Sequence, residues 1–93
     1  MALYFEWDEK KSINNIKKHE ISFEEATTVF GDPLSKTIID PLHTSDEEVK
    51  YITIGMSYRQ KLLVVVHCDR EGKIRIISAR KVTRREKIEY EKN

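Results

Sequence analysis

The alternation of apolar and polar positions divides the chain into eight segments. Tyr4-Phe5-Glu6-Trp7 is aromatic and alternating, a short strand. Asp8 is placed to cap a following helix, with Glu9 in its first turn. Lys10 to His19 is a polar helix, with Ile13 and Ile16 as its expected anchors. Ser22-Phe23-Glu24-Glu25 has the form of a capping box opening a second helix, in which Phe23, Ala26, Val29 and Phe30 make one apolar stripe. Gly31 is its expected left-handed stop, and Pro33 prevents continuation.

The second half alternates differently. Lys36 to Asp40 is a short strand, and Pro41 to Glu48 a polar, acidic loop. Tyr51 to Ser57 places Ile52, Ile54 and Met56 on one face. Leu62 to Val66 is continuously apolar, as in a central strand covered on both sides. Ile74 to Lys81 is a further strand, joined to the previous one by Arg70-Glu71-Gly72, read as a three-residue hairpin loop. Thr83-Arg84-Arg85-Glu86 is a second capping box, opening a charged helix anchored by Ile88 and Tyr90. The order β-α-α-β-β-β-β-α predicts an α+β fold. An antiparallel sheet, a short N-terminal strand plus a meander of three to four strands, carries two N-terminal helices and one C-terminal helix on one face.

Ninety-three residues fit a single domain, 1–93. No run of eighteen apolar residues exists, so no transmembrane helix and no membrane partner are expected. The first residues lack a basic start followed by an apolar stretch, so no secretory signal is expected and the chain reads as cytoplasmic. The one cysteine, Cys68, excludes an intrachain disulfide framework and a Cys-rich zinc site. His19, His43 and His67 are too far apart in sequence for a local metal motif, and no cofactor is expected. The formal net charge is +1, which at first argues against a polyanion partner. Counted by region it is a cancellation. Residues 70–92 hold nine basic and four acidic side chains, a balance of +5, and residues 1–69 hold eight and twelve, a balance of −4. The basic end suits a polyanion.

A three-residue loop at 70–72 would pair Asp69 with Lys73, and therefore His67 with Arg75 and Leu62 with Arg80. His67 and Arg75 would then be opposed neighbours on one face. An imidazole can move a proton near neutral pH, and a guanidinium can hold a phosphate through two parallel hydrogen bonds. Together they are a minimal kit for cleaving RNA without a metal. Against this, His67 extends a valine run and could be a satisfied core-edge histidine, and Arg75 could pair with a carboxylate such as Glu6 or Asp8. A slip of one residue would place His67 opposite Ile76 and weaken the case. On a regular strand Arg80 points away from the Arg75 face, so either a twist or bulge near Ala79 reunites them or Arg80 serves packing or partner binding. Glu86 and Tyr90, four apart, share a helix face. Lys18 and His19 close the first helix as a basic cluster, and Arg84 and Arg85 belong to the basic end.

Phe5-Glu6-Trp7-Asp8, Lys11, Asn15, Lys18-His19, Ser22 to Ala26 and Phe30-Asp32-Pro33 resemble the opening of BrnT-like toxins. Tyr51 to Gly55, Leu63 to His67, Arg75 to Arg80, Thr83 to Glu86 and Tyr90 resemble the rest. The resemblance implies a RelE-like fold and the toxin of a type II toxin–antitoxin system, an endoribonuclease that arrests translation. It also implies a BrnA-like antitoxin with a ribbon-helix-helix domain. That partner would form a hetero-oligomer with the toxin, neutralise it and carry it to operator DNA. By this similarity His67, Arg75, Arg80, Glu86 and Tyr90 are the catalytic candidates. Lys18, His19, Lys50, Arg84 and Arg85 are candidates for binding RNA. Lys50 stands where the pattern has an arginine, which keeps the charge but loses the bidentate fork. The alternative is a non-catalytic RNA- or protein-binding module of the same fold.

Overall fold

A computed structural model of the chain describes residues 2–92. All eight segments are present: β1 (Phe5–Trp7), α1 (Glu9–His19), α2 (Phe23–Thr27), β2 (Lys36–Ile39), β3 (Lys50–Met56), β4 (Leu62–Arg70), β5 (Lys73–Lys81) and α3 (Arg84–Glu91). The five strands form one sheet in the order β1-β5-β4-β3-β2. Neighbours from β2 to β5 are antiparallel, as hairpin links require, but β1 runs parallel to β5. The sheet is therefore mixed rather than antiparallel. No hairpin joins β1 to β5, so no turn chemistry announced their relative direction.

One face of the sheet carries the core. Leu63 and Val65 of β4 and Ile76 and Ala79 of β5 pack against Ile21, Phe23, Ala26 and Val29, with Phe5, Trp7, Phe30 and Ile74 around them. Trp7 meets Phe23 edge-on, ring centroids 6.1 Å apart. Asp8 caps α1 as expected, accepting from the Lys11 amide at 3.1 Å. The anchors of α1, however, are not the two isoleucines. Ile13 and Ile16 remain 48% and 45% exposed, and the buried positions are Ser12 and Asn15. Asn15 acts as a surrogate strand residue. Its Nδ2 donates to the carbonyls of Ala79 (2.8 Å) and Ile21 (2.9 Å), and its Oδ1 accepts the Ala79 amide at 3.1 Å. The β1–β5 ladder ends at the Trp7–Ile76 pair, and the side-chain amide continues it.

The expected box at α2 forms by half. The Ser22 hydroxyl accepts the Glu25 amide at 3.0 Å, but the Glu25 carboxylate turns inward to accept from the Ser57 hydroxyl at 2.7 Å. The helix passes into a 3-10 turn over Thr28–Gly31, and Gly31 has no positive φ. The tighter turn replaces the left-handed stop. Gly55 has a different reason to be glycine: a Cβ there would stand 2.8 Å from Ser35 Cβ and 2.9 Å from Val29 Cγ1.

Two departures from the expected hairpin position the site. The β4–β5 turn needs only Glu71 and Gly72, both left-handed with φ 52° and 78°, so Arg70 pairs with Lys73 and His67 with Ile76. Further along β5, Ile77 is an extra residue. His67 pairs with Ile76 but Val66 pairs with Ser78, a β-bulge. Past it Val64, not Leu62, lies opposite Arg80. The bulge reverses the alternation of faces, so Arg75, Ser78 and Arg80 all leave the face opposite the core helices. The C-terminal helix also departs from the expected layering. Glu86, Glu89 and Tyr90 of α3 lie over Ile38, Ile52 and Ile54, which share the Arg80 face. Thus α1 and α2 cover one side of the sheet and α3 one end of the other.

Candidate active site

The open face can be read in cross-strand rungs. Lys50, Cys68, Arg75 and Glu6 form one; Ile38, Ile52, Val66 and Ser78 the next; Lys36, Ile54, Val64 and Arg80 the third. Four cations thus border an apolar floor, two at each end. Arg75 and Arg80 sit opposite Cys68 and Val64, four residues or about 13 Å apart along the strand.

Each cation is already held by an acceptor of the protein. Arg75 Nη1 donates to Glu6 Oε2 at 2.9 Å across the parallel pair. This is a single contact, so most of the guanidinium fork is left for a further anion. Lys50 lies 3.8 Å from Glu48, which also takes Arg70 at 3.2 Å. The Lys36 ammonium donates to the Tyr90 carbonyl at 3.1 Å and sits 5.0 Å from its ring centre. Arg80 is the most committed. Its Nη1 and Nη2 grip the two Glu86 carboxylate oxygens end-on at 2.8 and 2.9 Å, and Nη1 also reaches the Lys81 carbonyl.

Glu86 completes the second capping box as the sequence predicts. Its Oε1 accepts the Thr83 amide at 2.8 Å, and its own amide donates to the Thr83 hydroxyl at 3.1 Å. The Arg80 hydrogen bonds hold the Glu86 carboxyl at about 2, well below its ordinary 4.5; partial burial opposes them and the Thr83 amide assists. A depressed carboxyl stabilises the fold above its unfolded value and stops doing so as pH falls toward the folded one. Urea unfolding between pH 5 and about 2 is expected to show stability falling with acid in the wild type, and less steeply in Arg80→Ala. Parallel profiles would contradict this account of the pair. Tyr90 turns its hydroxyl to the Leu34 carbonyl at 2.9 Å, and burial pushes its phenol up, with Asp32 adding to the effect. It is a donor at neutral pH.

The structure separates His67 from these groups. Opposite Ile76 rather than Arg75, it projects to the helix-covered face and is 5% exposed. Its Nε2 lies 2.7 Å from the Thr53 hydroxyl, its ring stacks on Tyr51 and meets Phe30 edge-on, and Nδ1 has no partner. Burial pushes its pKa down, so it is neutral at pH 7. It is a core-edge histidine, the one-residue slip puts it opposite Ile76, and Arg75 serves Glu6. Lys18 and His19 end α1 on that same covered side. Arg84 and Arg85 are exposed in the first turn of α3, with Arg85 beside the groove of about 450 Å³ between this helix and β2–β3.

One feature of this face escaped the sequence. His43, in the loop after β2, lies against the sheet beside Lys50, Val66, Ile77 and Ser78, and its Nδ1 is 2.6 Å from the buried Asp40 carboxylate. The i, i+3 spacing of an acid and a histidine just past a strand was the available signal. Among the described residues no three His, Cys, Asp or Glu side chains converge as a metal site. No helix is long and apolar enough to cross a membrane.

The comparisons with known proteins agree with this architecture. The crystal structure of the Brucella abortus ribonuclease toxin BrnT superposes with a TM-score of 0.64 at 20% identity, over 89% of this chain and 100% of that one. At that identity the likeness is one of fold, and it extends to the whole of the smaller molecule. No curated protein sequence matches the chain. A family model described as the ribonuclease toxin BrnT of type II toxin–antitoxin systems matches residues 7–86, from Trp7 at the end of β1 to Glu86 in its capping box. The chain belongs to the BrnT family of ribonuclease toxins.

Proposed function

We propose that the protein is an endoribonuclease toxin that cuts RNA in the cytosol on the open face of its sheet, needs no metal, and so arrests translation. The observation that carries this reading is the bulge at Ile77, which brings Arg80 to the face that already holds Arg75, Lys50 and Lys36. Such an array binds phosphate oxygens, and its apolar floor of Val66, Ile52 and Ile38 suits the face of a base. RNA carries its own nucleophile. Attack of the 2′-oxygen on the adjacent phosphorus breaks the bond to the 5′-oxygen and leaves a 2′,3′-cyclic phosphate and a 5′-hydroxyl. Negative charge grows on the phosphoryl oxygens as that happens, and fixed cations aimed at them lower the barrier.

Within this reading Arg75 and Lys50 grip the phosphate at the point of cleavage. Arg80 and Glu86 fix α3 against the sheet, so that Tyr90, Arg84 and Arg85 border the strand path. His67 keeps its place in the core, and Lys18 and His19 lie off the path. A BrnA-like ribbon-helix-helix antitoxin neutralises the toxin by covering this face and links it to operator DNA. The purified chain incubated with RNA in EDTA is expected to yield fragments ending in 2′,3′-cyclic phosphate, and its induction in cells to arrest growth. Intact RNA, with or without bound strand, would favour a binding module instead.

A further inference from the structure

The loop that follows β2 presents a histidine with the support that His67 lacks. Asp40, directly after β2, has a side chain only 3% exposed, whereas that of His43 is 61% exposed. Asp40 Oδ2 takes His43 Nδ1 at 2.6 Å, and its Oδ1 accepts the Leu42 amide at 3.0 Å. Burial pushes the Asp40 carboxyl up, but these hydrogen bonds outweigh it and hold the group below its ordinary value, as the carboxylate. A carboxylate has no proton to give, so Nδ1 must carry the shared hydrogen. The lone pair of neutral His43 is then on Nε2. That nitrogen has no hydrogen-bond partner among the described residues.

The loop is tied down on both sides of the histidine. The Asp40 amide donates to the Lys50 carbonyl at 2.8 Å, and the Thr44 amide to the Asp40 carbonyl at 3.1 Å. The Thr44 hydroxyl accepts the Lys50 amide and donates to the Lys50 carbonyl, at 3.0 and 3.2 Å. The imidazole is thereby fixed to the start of β3, next to Lys50. With Lys50, Val66, Ile77 and Ser78 it lines a cleft of about 110 Å³. The bulge residue Ile77 is part of the cleft wall, and the Lys50–Cys68–Arg75 rung lies immediately beyond Val66. Lys50 and an oriented imidazole thus border one small cleft, with Arg75 on the adjoining rung.

We propose that His43, oriented by Asp40, is the general base of RNA cleavage in this cleft. The inference rests on the ribonuclease reading above and assigns the proton that the reading leaves unassigned. His43 Nε2 takes the proton of the 2′-hydroxyl as the oxygen bonds to phosphorus. The bond from phosphorus to the 5′-oxygen breaks, and that oxygen takes a proton from water. The imidazolium, stabilised by Asp40, then returns its proton to solvent. His43 touches the substrate and is a catalytic residue; Asp40 acts through it and is a positioning residue.

The test uses the full chain in EDTA with an RNA strand, and the same strand 2′-deoxy at the cut as a non-cleavable probe of binding. His43→Ala removes an exposed side chain but leaves the buried Asp40 with the Leu42 amide alone. Its folding is therefore verified by circular dichroism, and His43→Gln is measured beside it as a variant that keeps a donor for Asp40. The kcat of His43→Ala is expected to fall by about a hundredfold or more, with affinity for the deoxy probe within about twofold of wild type, and added imidazole should restore part of the rate. Asp40→Asn is expected to lower kcat, and ¹⁵N NMR of its imidazole nitrogens to show loss of the Nδ1–H tautomer that predominates in the wild type. Wild-type cutting by His43→Ala would overturn this inference alone. So would a loss of probe affinity equal to the loss of rate with no rescue by imidazole, since His43 would then merely hold the loop. RNA left intact by the wild type would overturn the ribonuclease reading and this assignment with it.

Discussion

Asn15→Ala is expected to be the most damaging single substitution outside the apolar core. The side chain removed makes three hydrogen bonds to the backbone of Ala79 and Ile21, both fully buried. Each buried backbone group left without a partner costs about 1–3 kcal/mol, so three together cost roughly 3 kcal/mol or more. A domain of this size has about 5–15 kcal/mol in all. At roughly 4–8 °C per kcal/mol, the melting temperature should fall by at least about 12 °C. Asn15→Asp is informative beside it. Asp keeps an acceptor for the Ala79 amide but faces two carbonyls with a carboxylate and no donor, so it should be no better than alanine. Calorimetry decides: a melting temperature within about 3 °C of wild type in Asn15→Ala would mean that α1 is held to β5 by packing alone.

Arg75→Ala carries the second large effect, on activity instead of stability. Its guanidinium is only singly engaged by Glu6 and offers free donors to a phosphate. Removal of one such donor from a charge-stabilising site typically costs about 10²–10³ in rate. RNA cleavage should therefore fall by about a hundredfold, while folding suffers little because the pair with Glu6 is partly solvated. Arg75→Lys should recover only part of the rate, since it restores the charge without the fork. Arg80→Ala provides the contrast. Its fork is taken up by Glu86, so its loss should show first in the acid stability profile and in the seating of α3. Equal loss of cleavage in Arg75→Ala and Arg80→Ala, without any change in stability, would contradict this division of roles.

Much of the fold was legible because local signals agreed with one another. Asp8 and the Thr83–Glu86 box mark helix starts, Leu62 to Val66 marks a central strand, and Ile52, Ile54 and Met56 share a face as their spacing requires. What escaped depended on partners distant in sequence or on a single backbone angle. The left-handed Glu71 shortened the turn by one residue, and one residue of register sends every side chain to the other face. That one angle moved His67 from the proposed site into the core. The bulge at Ile77 then restored Arg80 to the Arg75 face, which periodicity could not foresee because an isoleucine fits a regular strand as well as a bulge. Ile13 and Ile16 looked like anchors because they are apolar, whereas Asn15, a poor helix former, does the anchoring through hydrogen bonds that only the tertiary structure supplies. His43 lies too far from the other histidines for a local motif, and its buried partner is Asp40, the last residue of the segment that reads as a strand.

The central claim is that RNA is cut on the face of the sheet opposite α1 and α2, and a pair of charge reversals tests it most directly. Lys50→Glu changes the open face beside Arg75, and Lys18→Glu makes the same change in charge on an exposed position of the covered side. Cleavage of one RNA in EDTA would be measured for both variants and the wild type at matched salt. The expected result is a loss of about a hundredfold or more for Lys50→Glu and a change of less than about threefold for Lys18→Glu. Equal losses, or a larger loss for Lys18→Glu, would contradict the placement of the site on the open face.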